Sequence, residues 1–287
     1  MSRRYRRCVV VGTGLIGASL AGAGKEKGLF EYVVGVGRSK ANLDTALSRG
    51  LIDEARGDLF PSLAGADLVV VATPVFTAVS QLHELAEHAP KDCVFTDVGS
   101  VKAPIVAEAA RRGLTPRFLG AHPLAGKAET GSGAADTGLF RGRRCVLTPA
   151  ADTPPALVED MRALWTAVGS EVDVMDAAEH DAVLAVSSHL PQMVAFALAA
   201  TADVSPMRDD VVRLVAGGFR DTTRLAASDP DMWADIASLN REAIVDAMDE
   251  FAAVFDELRD AICDGDGASL RAIIAKSRAL RREIVPS

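Results

Sequence analysis

His122 stands in the string Gly120-Ala121-His122-Pro123-Leu124-Ala125-Gly126, and Ser100 in Asp97-Val98-Gly99-Ser100-Val101-Lys102. An imidazole and a hydroxyl, each on a loop after a β-branched run, are residue types that can take a proton from an alcohol while hydride leaves its carbon. A lone His before Pro also serves as an ordinary structural residue, so both readings stand for His122. Hydride needs an acceptor, and Gly12-Thr13-Gly14-Leu15-Ile16-Gly17 offers a place for one. The first Gly turns the chain sharply, the second lets the backbone approach a pyrophosphate, and the third lets helix pack on strand. The free N–H groups of the helix that follows face the anion. Such a loop can also use its glycines for packing alone. Here a strand precedes it, a helix follows, and a second strand comes at the expected distance, which favours the dinucleotide. Thr73 and Pro74, at the end of another apolar run, fall on the same side of such a fold.

The tip of the second strand reads Gly35-Val36-Gly37-Arg38-Ser39-Lys40. A dinucleotide fold that prefers NAD usually carries Asp or Glu there for the ribose 2′-hydroxyl. No carboxylate is present, and Arg38, Ser39 and Lys40 can surround a 2′-phosphate, so the expectation is NAD(P)+ with a lean toward NADP+. The bland reading is a solvated loop.

Two more polar clusters lie in the second half of the chain. Ser187-Ser188-His189-Leu190-Pro191-Gln192 interrupts an apolar helical stretch, where Pro191 should produce a kink. His189 is either a satisfied buried histidine or part of a site. Gly217-Gly218-Phe219-Arg220-Asp221-Thr222-Thr223-Arg224 sets two arginines and a carboxylate beside a glycine pair. An arginine there either grips a substrate carboxylate or pairs with Asp221.

The elements that must position these groups follow from periodicity. Short β-branched runs at 8–11, 32–36, 67–73, 93–98, 117–121, 144–148 and 171–175 alternate with helical segments, with a helix at 15–27 and Ser100 a candidate N-cap for one beginning near Lys102. That alternation predicts βαβ units on a mostly parallel sheet. Beyond 176 the strand signal disappears, and helices are expected over 177–203, Asp209 to Val215, 230–263 and 267–283. Ile244, Met248, Phe251, Phe255, Leu258 and Ile262 recur at heptad-like spacing, a seam that must pack against another helix, either in the same chain or in a second copy.

Composition narrows the function classes. A length of 287 residues, 49% hydrophobic and 24% charged, suits two globular domains. The net charge of −8 argues against a sequence-independent grip on nucleic acid. Cys8, Cys93, Cys145 and Cys263 show no CxxC spacing and read as reduced, mostly buried residues of a cytoplasmic protein, with no metal site. The basic Ser2–Arg7 stretch followed by an apolar run imitates a secretory signal, but glycines break the run and no cleavage site follows. No membrane segment is expected.

GTGLIGASL, DVGSVK, HPLAG, SSHLPQ, GGFRDTTRLAASDPDMW and LNRE, in this order and spacing, resemble the prephenate/arogenate dehydrogenase family of tyrosine biosynthesis, from Cys8 to beyond Asn240. The resemblance implies an α/β Rossmann dinucleotide-binding domain, here 1–175, followed by an all-helical dimerisation domain, 176–287. It implies a homodimer and oxidative decarboxylation of prephenate to 4-hydroxyphenylpyruvate, or of arogenate to tyrosine, with hydride passing to NAD(P)+. His122 then matches the catalytic histidine at the C4 hydroxyl, and Ser100 a serine assisting at that hydroxyl or near the nicotinamide. Arg224 matches an arginine that binds a substrate carboxylate, His189 the histidine of the SHLP segment, and Asp221 and Trp233 residues that shape the pocket. Two departures bear on substrate choice: Gln192 stands where many relatives have a second histidine, and Ala128, next to Glu129, where a Glu is common. Some relatives carry a regulatory domain or a fused mutase, and the 287-residue length leaves the expectation of neither. The alternatives are a β-hydroxyacid-type dehydrogenase, disfavoured by the lack of Lys between Ala177 and Val204, and a non-catalytic dinucleotide-sensing module.

Overall fold

Cys8-Val9-Val10-Val11 has no polar face, so as a strand it must lie between two others with both sides covered. A computed structural model of the chain describes residues 3–127 and 129–284. In it this run is β1 (Tyr5–Val11), paired in parallel with β2 (Phe30–Val36) on one side and β4 (Leu68–Val71) on the other. The sheet continues through β5 (Val94–Asp97), β6 (Phe118–Pro123), β7 (Arg144–Thr148) and β8 (Glu171–Val174), with β3 (Glu54–Arg56) on the opposite edge. Its order is β3-β2-β1-β4-β5-β6-β7-β8, parallel except where β6 meets β7. The direction of winding changes between β1 and β4, and a parallel sheet leaves its ligand crevice at that point, beyond the carboxyl ends of the strands.

The expected alternation of strands and helices is present, with one strand added. β3 has only three residues, two of them charged, and apolar periodicity cannot reveal so short an edge. One sheet face is covered by α1 (Leu15–Glu26), α2 (Lys40–Ser48) and α6 (Pro155–Ala167), around a core that includes Leu20, Phe140 and Trp165. Phe140 and Trp165 meet edge to face with centroids 5.3 Å apart. α3 (Leu59–Ser62), α4 (Val75–His88) and α5 (Ala103–Arg111) belong to the other face. Its core of Val9, Val71, Leu82 and Ile105 runs on without a break into Ala185, Ile236, Ile244 and Ala247 of the later helices.

Those helices are α7 (Ala177–Leu184), α8 (Leu190–Asp203), α9 (Arg208–Leu214), α10 (Gly217–Thr223), α11 (Pro230–Leu239), α12 (Arg241–Cys263) and α13 (Gly267–Ile284). Three local expectations need correction. The helix expected over 230–263 is divided at Asn240, whose backbone (φ −113°, ψ 32°) leaves the helical region. Pro191 produces no simple kink; a π-helical turn, Ala185–His189, precedes it and Pro191 sits in the first turn of α8. The wider turn places the residue that lacks an N–H where none is needed. Ser100 does not cap α5, because the carboxylate of Asp181 accepts from the N–H groups of Lys102 (2.7 Å) and Ala103 (2.8 Å) in its place. The stretch Ala177–Asp203 is long and apolar enough by composition to cross a membrane. It nonetheless buries His180, Asp181, His189 and Gln192.

On the α12 seam Ile244 is buried, whereas Met248, Phe251, Phe255 and Ile262 are exposed and Phe251 stacks on Phe255. Among the described residues the seam is buried at Ile244 and half-buried at Leu258, and the positions between and beyond them are exposed.

At the crevice the ends of β5 and β6 are tied by a wholly buried ion pair. Lys102 Nζ donates to Asp97 Oδ2 and, at 3.0 Å, to the carbonyl of Ala121. Removing one partner leaves a buried charge uncompensated, so Lys102→Met is expected to lose about 3–5 kcal/mol of stability, measured by urea unfolding. A variant as stable as the parent would show that the pair contributes nothing to holding the two strand ends.

Candidate active site

The glycine loop divides its work as the sequence suggests, and the divisions are geometric. Gly12 has φ +101°, and a Cβ there would lie 2.4 Å from the carbonyl oxygen of Ala72. At Gly17 a Cβ would stand 2.0 Å from the oxygen of Gly12, so the first turn of α1 lies directly on the β1 turn. Over Gly14 a Cβ would meet nothing within 4 Å. The middle glycine therefore faces open space where the other two face protein. α1 has no side-chain cap and no acidic residue in its first turn, so the N–H ends around Leu15 and Ile16 offer positive dipole with nothing to neutralise it. This combination fits a pyrophosphate.

Around that loop, Thr73 is half-buried with its hydroxyl donating to Gln81 Oε1 at 3.1 Å, and Pro74 is the N-cap residue of α4. Arg38 is exposed at the tip of β2. Ser39 caps α2 by accepting from the N–H of Asn42 at 3.3 Å, and Lys40 pairs with Asp44 at 2.7 Å. Two of the three residues considered for a 2′-phosphate are thus engaged by their own helix.

His122 closes β6 and is half-buried. Its Nδ1 lies 2.9 Å from Nε2 of His180, and Nδ1 of His180 lies 2.7 Å from Oδ1 of Asp181. Asp181, which also accepts from the N–H groups of Lys102 and Ala103, fixes the protons along this row. As a carboxylate it can only accept, so His180 donates from Nδ1 and its Nε2 is left as an acceptor. His122 must then donate from Nδ1, which leaves its Nε2 with a lone pair. Burial first, then the neighbouring His180, Lys102 and His189, holds the basicity of His122 well below the ordinary histidine value. The ring is therefore neutral at pH 7 and able to accept a proton.

His189 is buried at the end of the π turn. Asn240 donates from Nδ2 to its Nδ1 at 3.1 Å and to the carbonyl of Asp181 at 2.9 Å. Burial lowers the pKa of His189 to about 4, so its neutral ring carries a proton on Nε2 and presents a donor. Trp233 stands edge-on to it, 5.9 Å away, with a buried Nε1 that has no partner among the described residues. Gln192 is buried and donates from Nε2 to the carbonyl of Leu225 at 2.6 Å, which fastens the turn after α10 to α8. Arg224 and Asp221 are exposed, and no ion pair joins them among the described residues. Ser100 is half-buried beside Gly99, whose N–H is held by Asp97 Oδ2 at 2.8 Å. Ala128 lies outside the described residues.

The fold thus brings His122 and His189 into one electrostatic neighbourhood with Lys102, while Arg224 and Asp221 are exposed and make no contact with either histidine among the described hydrogen bonds and ion pairs. Sequence reasoning missed His180, Asp181 and Asn240. The available signal was an adjacent His-Asp pair in a helical stretch otherwise rich in Ala, Val and Leu, where charged groups require a partner.

Residues 20–174 match the nucleotide-binding domain of prephenate dehydrogenase, and residues 176–276 its dimerization domain. The chain is 32% identical to a cyclohexadienyl dehydrogenase from Zymomonas mobilis over 96% of its own length and 95% of that protein's. Among solved structures it resembles prephenate dehydrogenase from Aquifex aeolicus in complex with hydroxyphenyl propionate and NAD+. That match has TM-score 0.94 and 31% identity, and covers 99% of this chain and 100% of the other. It also resembles Synechocystis arogenate dehydrogenase, with TM-score 0.84 and 31% identity over 97% and 100% of the two chains.

The three glycines separate folding from binding. Gly14→Ala is expected to keep its stability within about 0.5 kcal/mol and to bind the dinucleotide more weakly. Gly17→Ala must displace backbone and is expected to lose roughly 1–3 kcal/mol. Thermal unfolding paired with a fluorescence titration of NAD+ distinguishes them, and a Gly14→Ala protein with unchanged affinity would contradict the assignment.

Proposed function

The chain belongs to the prephenate dehydrogenase family, and on that premise we propose how its residues carry out the oxidative decarboxylation of prephenate, or of the amino acid arogenate. The observation that carries the reading is the lone pair fixed on Nε2 of His122 by the row through His180 to Asp181. A nicotinamide dinucleotide at the Gly12–Gly17 loop supplies the hydride acceptor.

His122 Nε2 takes the C4 hydroxyl proton as hydride leaves C4, producing a ring carbonyl. That carbonyl draws the electrons of the C1–carboxylate bond into the ring, CO2 departs and the ring aromatises. The C4 oxygen then carries the charge and recovers the proton. No covalent bond to the protein is needed, because aromatisation drives the reaction and the chain orients and polarises. Ser100 assists at the hydroxyl or near the nicotinamide. Arg224 binds a substrate carboxylate, and its lack of an internal ion pair among the described residues supports that role. His189, through its Nε2 proton, lies with Trp233, Gln192 and Asp221 along the substrate wall.

Thr73 and Pro74 complete the cofactor side. An NADP+ preference is supported by the absence of a carboxylate between Gly35 and Lys40 and rests on Arg38, since Ser39 and Lys40 are engaged within α2. We divide the chain into a cofactor unit, 1–175, and a substrate and dimerisation unit, 176–287. The exposed Met248, Phe251, Phe255 and Ile262 support a homodimer in which a second copy covers the seam. The buried, unpaired Cys8, Cys93 and Cys145 suit a reducing cytoplasm.

The test is a matrix of prephenate and arogenate against NAD+ and NADP+, followed by the near-ultraviolet absorbance of the reduced cofactor. Reduction with at least one pair is expected, and none with any pair would favour a sensing module. In the productive pair His122→Asn is expected to lower kcat about 10²–10⁴-fold with little change in KM. Arg224→Ala raises the substrate KM instead, and Arg38→Ala narrows the preference for NADP+. Near-normal turnover by His122→Asn would refute the assignment.

The acid side of the pH profile gives an independent measurement. A histidine whose pKa is depressed stays neutral, and active as a base, until the pH falls through that lowered value. The acid limb of kcat/KM is therefore expected below the ordinary 6.5. A limb above that value would show that His122 is not the base.

A further inference from the structure

Asn is among the residue types that best cap a helix, yet Asn240 at the head of α12 caps nothing with its side chain. Its backbone leaves the helical region between α11 and α12, and its side chain is buried. Both amide hydrogens reach other elements. One goes to the carbonyl of Asp181 on α7 at 2.9 Å, the other to Nδ1 of His189 at 3.1 Å.

The orientation of this amide is settled by its partners. A backbone carbonyl can only accept, so the atom that faces Asp181 must be Nδ2, and the same Nδ2 faces His189. Nδ1 of His189 therefore holds the lone pair and Nε2 holds the proton. That Nε2 makes no hydrogen bond among the described residues, and neither does the buried Nε1 of Trp233, whose ring meets His189 edge-on at 5.9 Å. Buried N–H groups without partners are costly, and two on adjoining rings point to an acceptor that arrives from outside.

We propose that Asn240 is a positioning residue for substrate binding: by keeping Nδ1 of His189 an acceptor, it fixes the tautomer in which Nε2 donates to an oxygen of the substrate. This rests on the function proposed above, in which His189 lies along the substrate wall. Asn240 touches no substrate atom and acts through His189. A neutral amide sets the tautomer without charging the ring, so the Nε2 donor is present on both sides of the histidine's pKa. A carboxylate in its place reverses the arrangement. It accepts from Nδ1–H and leaves Nε2 with a lone pair facing the substrate oxygen, until acid protonates the ring and restores Nε2–H. A carboxylate in contact also raises the pKa at which that happens. The other charged and titratable groups around His189 are Asp181 and His180 on α7 and His122 at the end of β6, while α11 and α12 face it with Trp233 and Asn240, which do not titrate.

Nitrogen NMR of isotope-labelled protein reads the tautomer directly, with His189→Gln identifying the signals. The wild type is expected to show Nε2 protonated and Nδ1 bare. A proton on Nδ1, or a mixture, overturns the proposal. Asn240→Asp is expected to move the proton of the neutral ring to Nδ1. With cofactor saturating, its substrate KM in alkaline buffer is expected roughly 10–100-fold above the parent's, with kcat within about threefold. The ratio of the two KM values then falls back toward one as the pH drops through the raised pKa of His189. An unchanged KM, or one raised by the same factor at every pH, would show that Asn240 only packs the head of α12. Asn240→Leu keeps the size, adds no charge and carries the test if Asn240→Asp does not fold. Two tautomers and a raised KM are expected of it, and the parent's tautomer with the parent's KM overturns the proposal. A wild type that reduces neither NAD+ nor NADP+ with prephenate or arogenate defeats the functional reading and the positioning role with it. Turnover in the wild type with an unchanged KM in Asn240→Asp defeats only the positioning role.

Discussion

The carboxylate of Asp181 is the contact on which the rest of the crevice depends. It accepts from the first N–H groups of α5, on the sheet side, and from His180, which precedes it on α7. Its own backbone carbonyl accepts from Asn240, where α11 gives way to α12. One side chain thus caps a helix of the first half, orients an imidazole of the second, and lies beside the break between two further helices. A carboxylate suits this position because it can only accept and because a helix N-terminus presents donors. Its satisfaction fixes every proton in the row that ends at His122.

The electrostatics of the crevice follow from pairing some charges and withholding others. Lys102 and Asp97 are both wholly buried and neutralise each other while tying the ends of β5 and β6. His122 and His189 have no such partner, and burial keeps both rings neutral. Neutral imidazoles on either side leave one lone pair on His122 and one N–H on His189, a base and a donor set by the same network. The glycine loop is arranged differently: there open space lies over Gly14 and the start of α1 has no side-chain cap and no acidic residue in its first turn.

The two halves are not separate bodies. Ile236, Ile244, Ala247 and Ala185 belong to the same apolar core as Val9 and Val71, so the helices complete the covering of one sheet face. Further along, α12 leaves Met248, Phe251, Phe255 and Ile262 exposed. A heptad-like seam of that kind is stable only when something covers it.

The α/β character, the glycine turn between β1 and α1 and the helical second half were legible in the chain because each rests on local signals. β-branched runs, 3.6-residue periodicity and glycine spacing act over a few residues. The conspicuous polar motifs around His122, Ser100, His189 and Arg224 were legible for the same reason. β3 was not, being too short and too charged to show a period. Nor were the π turn before Pro191 and the break at Asn240, since both satisfy packing between helices. The row from His122 to Asp181 was also hidden, because its members lie 58 residues apart and meet only when β6 and α7 are packed together. Ser100 looked like the cap of α5, yet Asp181, 79 residues beyond Lys102, takes that place. By itself the sequence determined which segments become strands and helices and which residue types can do the chemistry. Tertiary structure alone decided which atom of which histidine carries a proton, because that depends on buried donors and acceptors meeting across the fold, where each must find a partner.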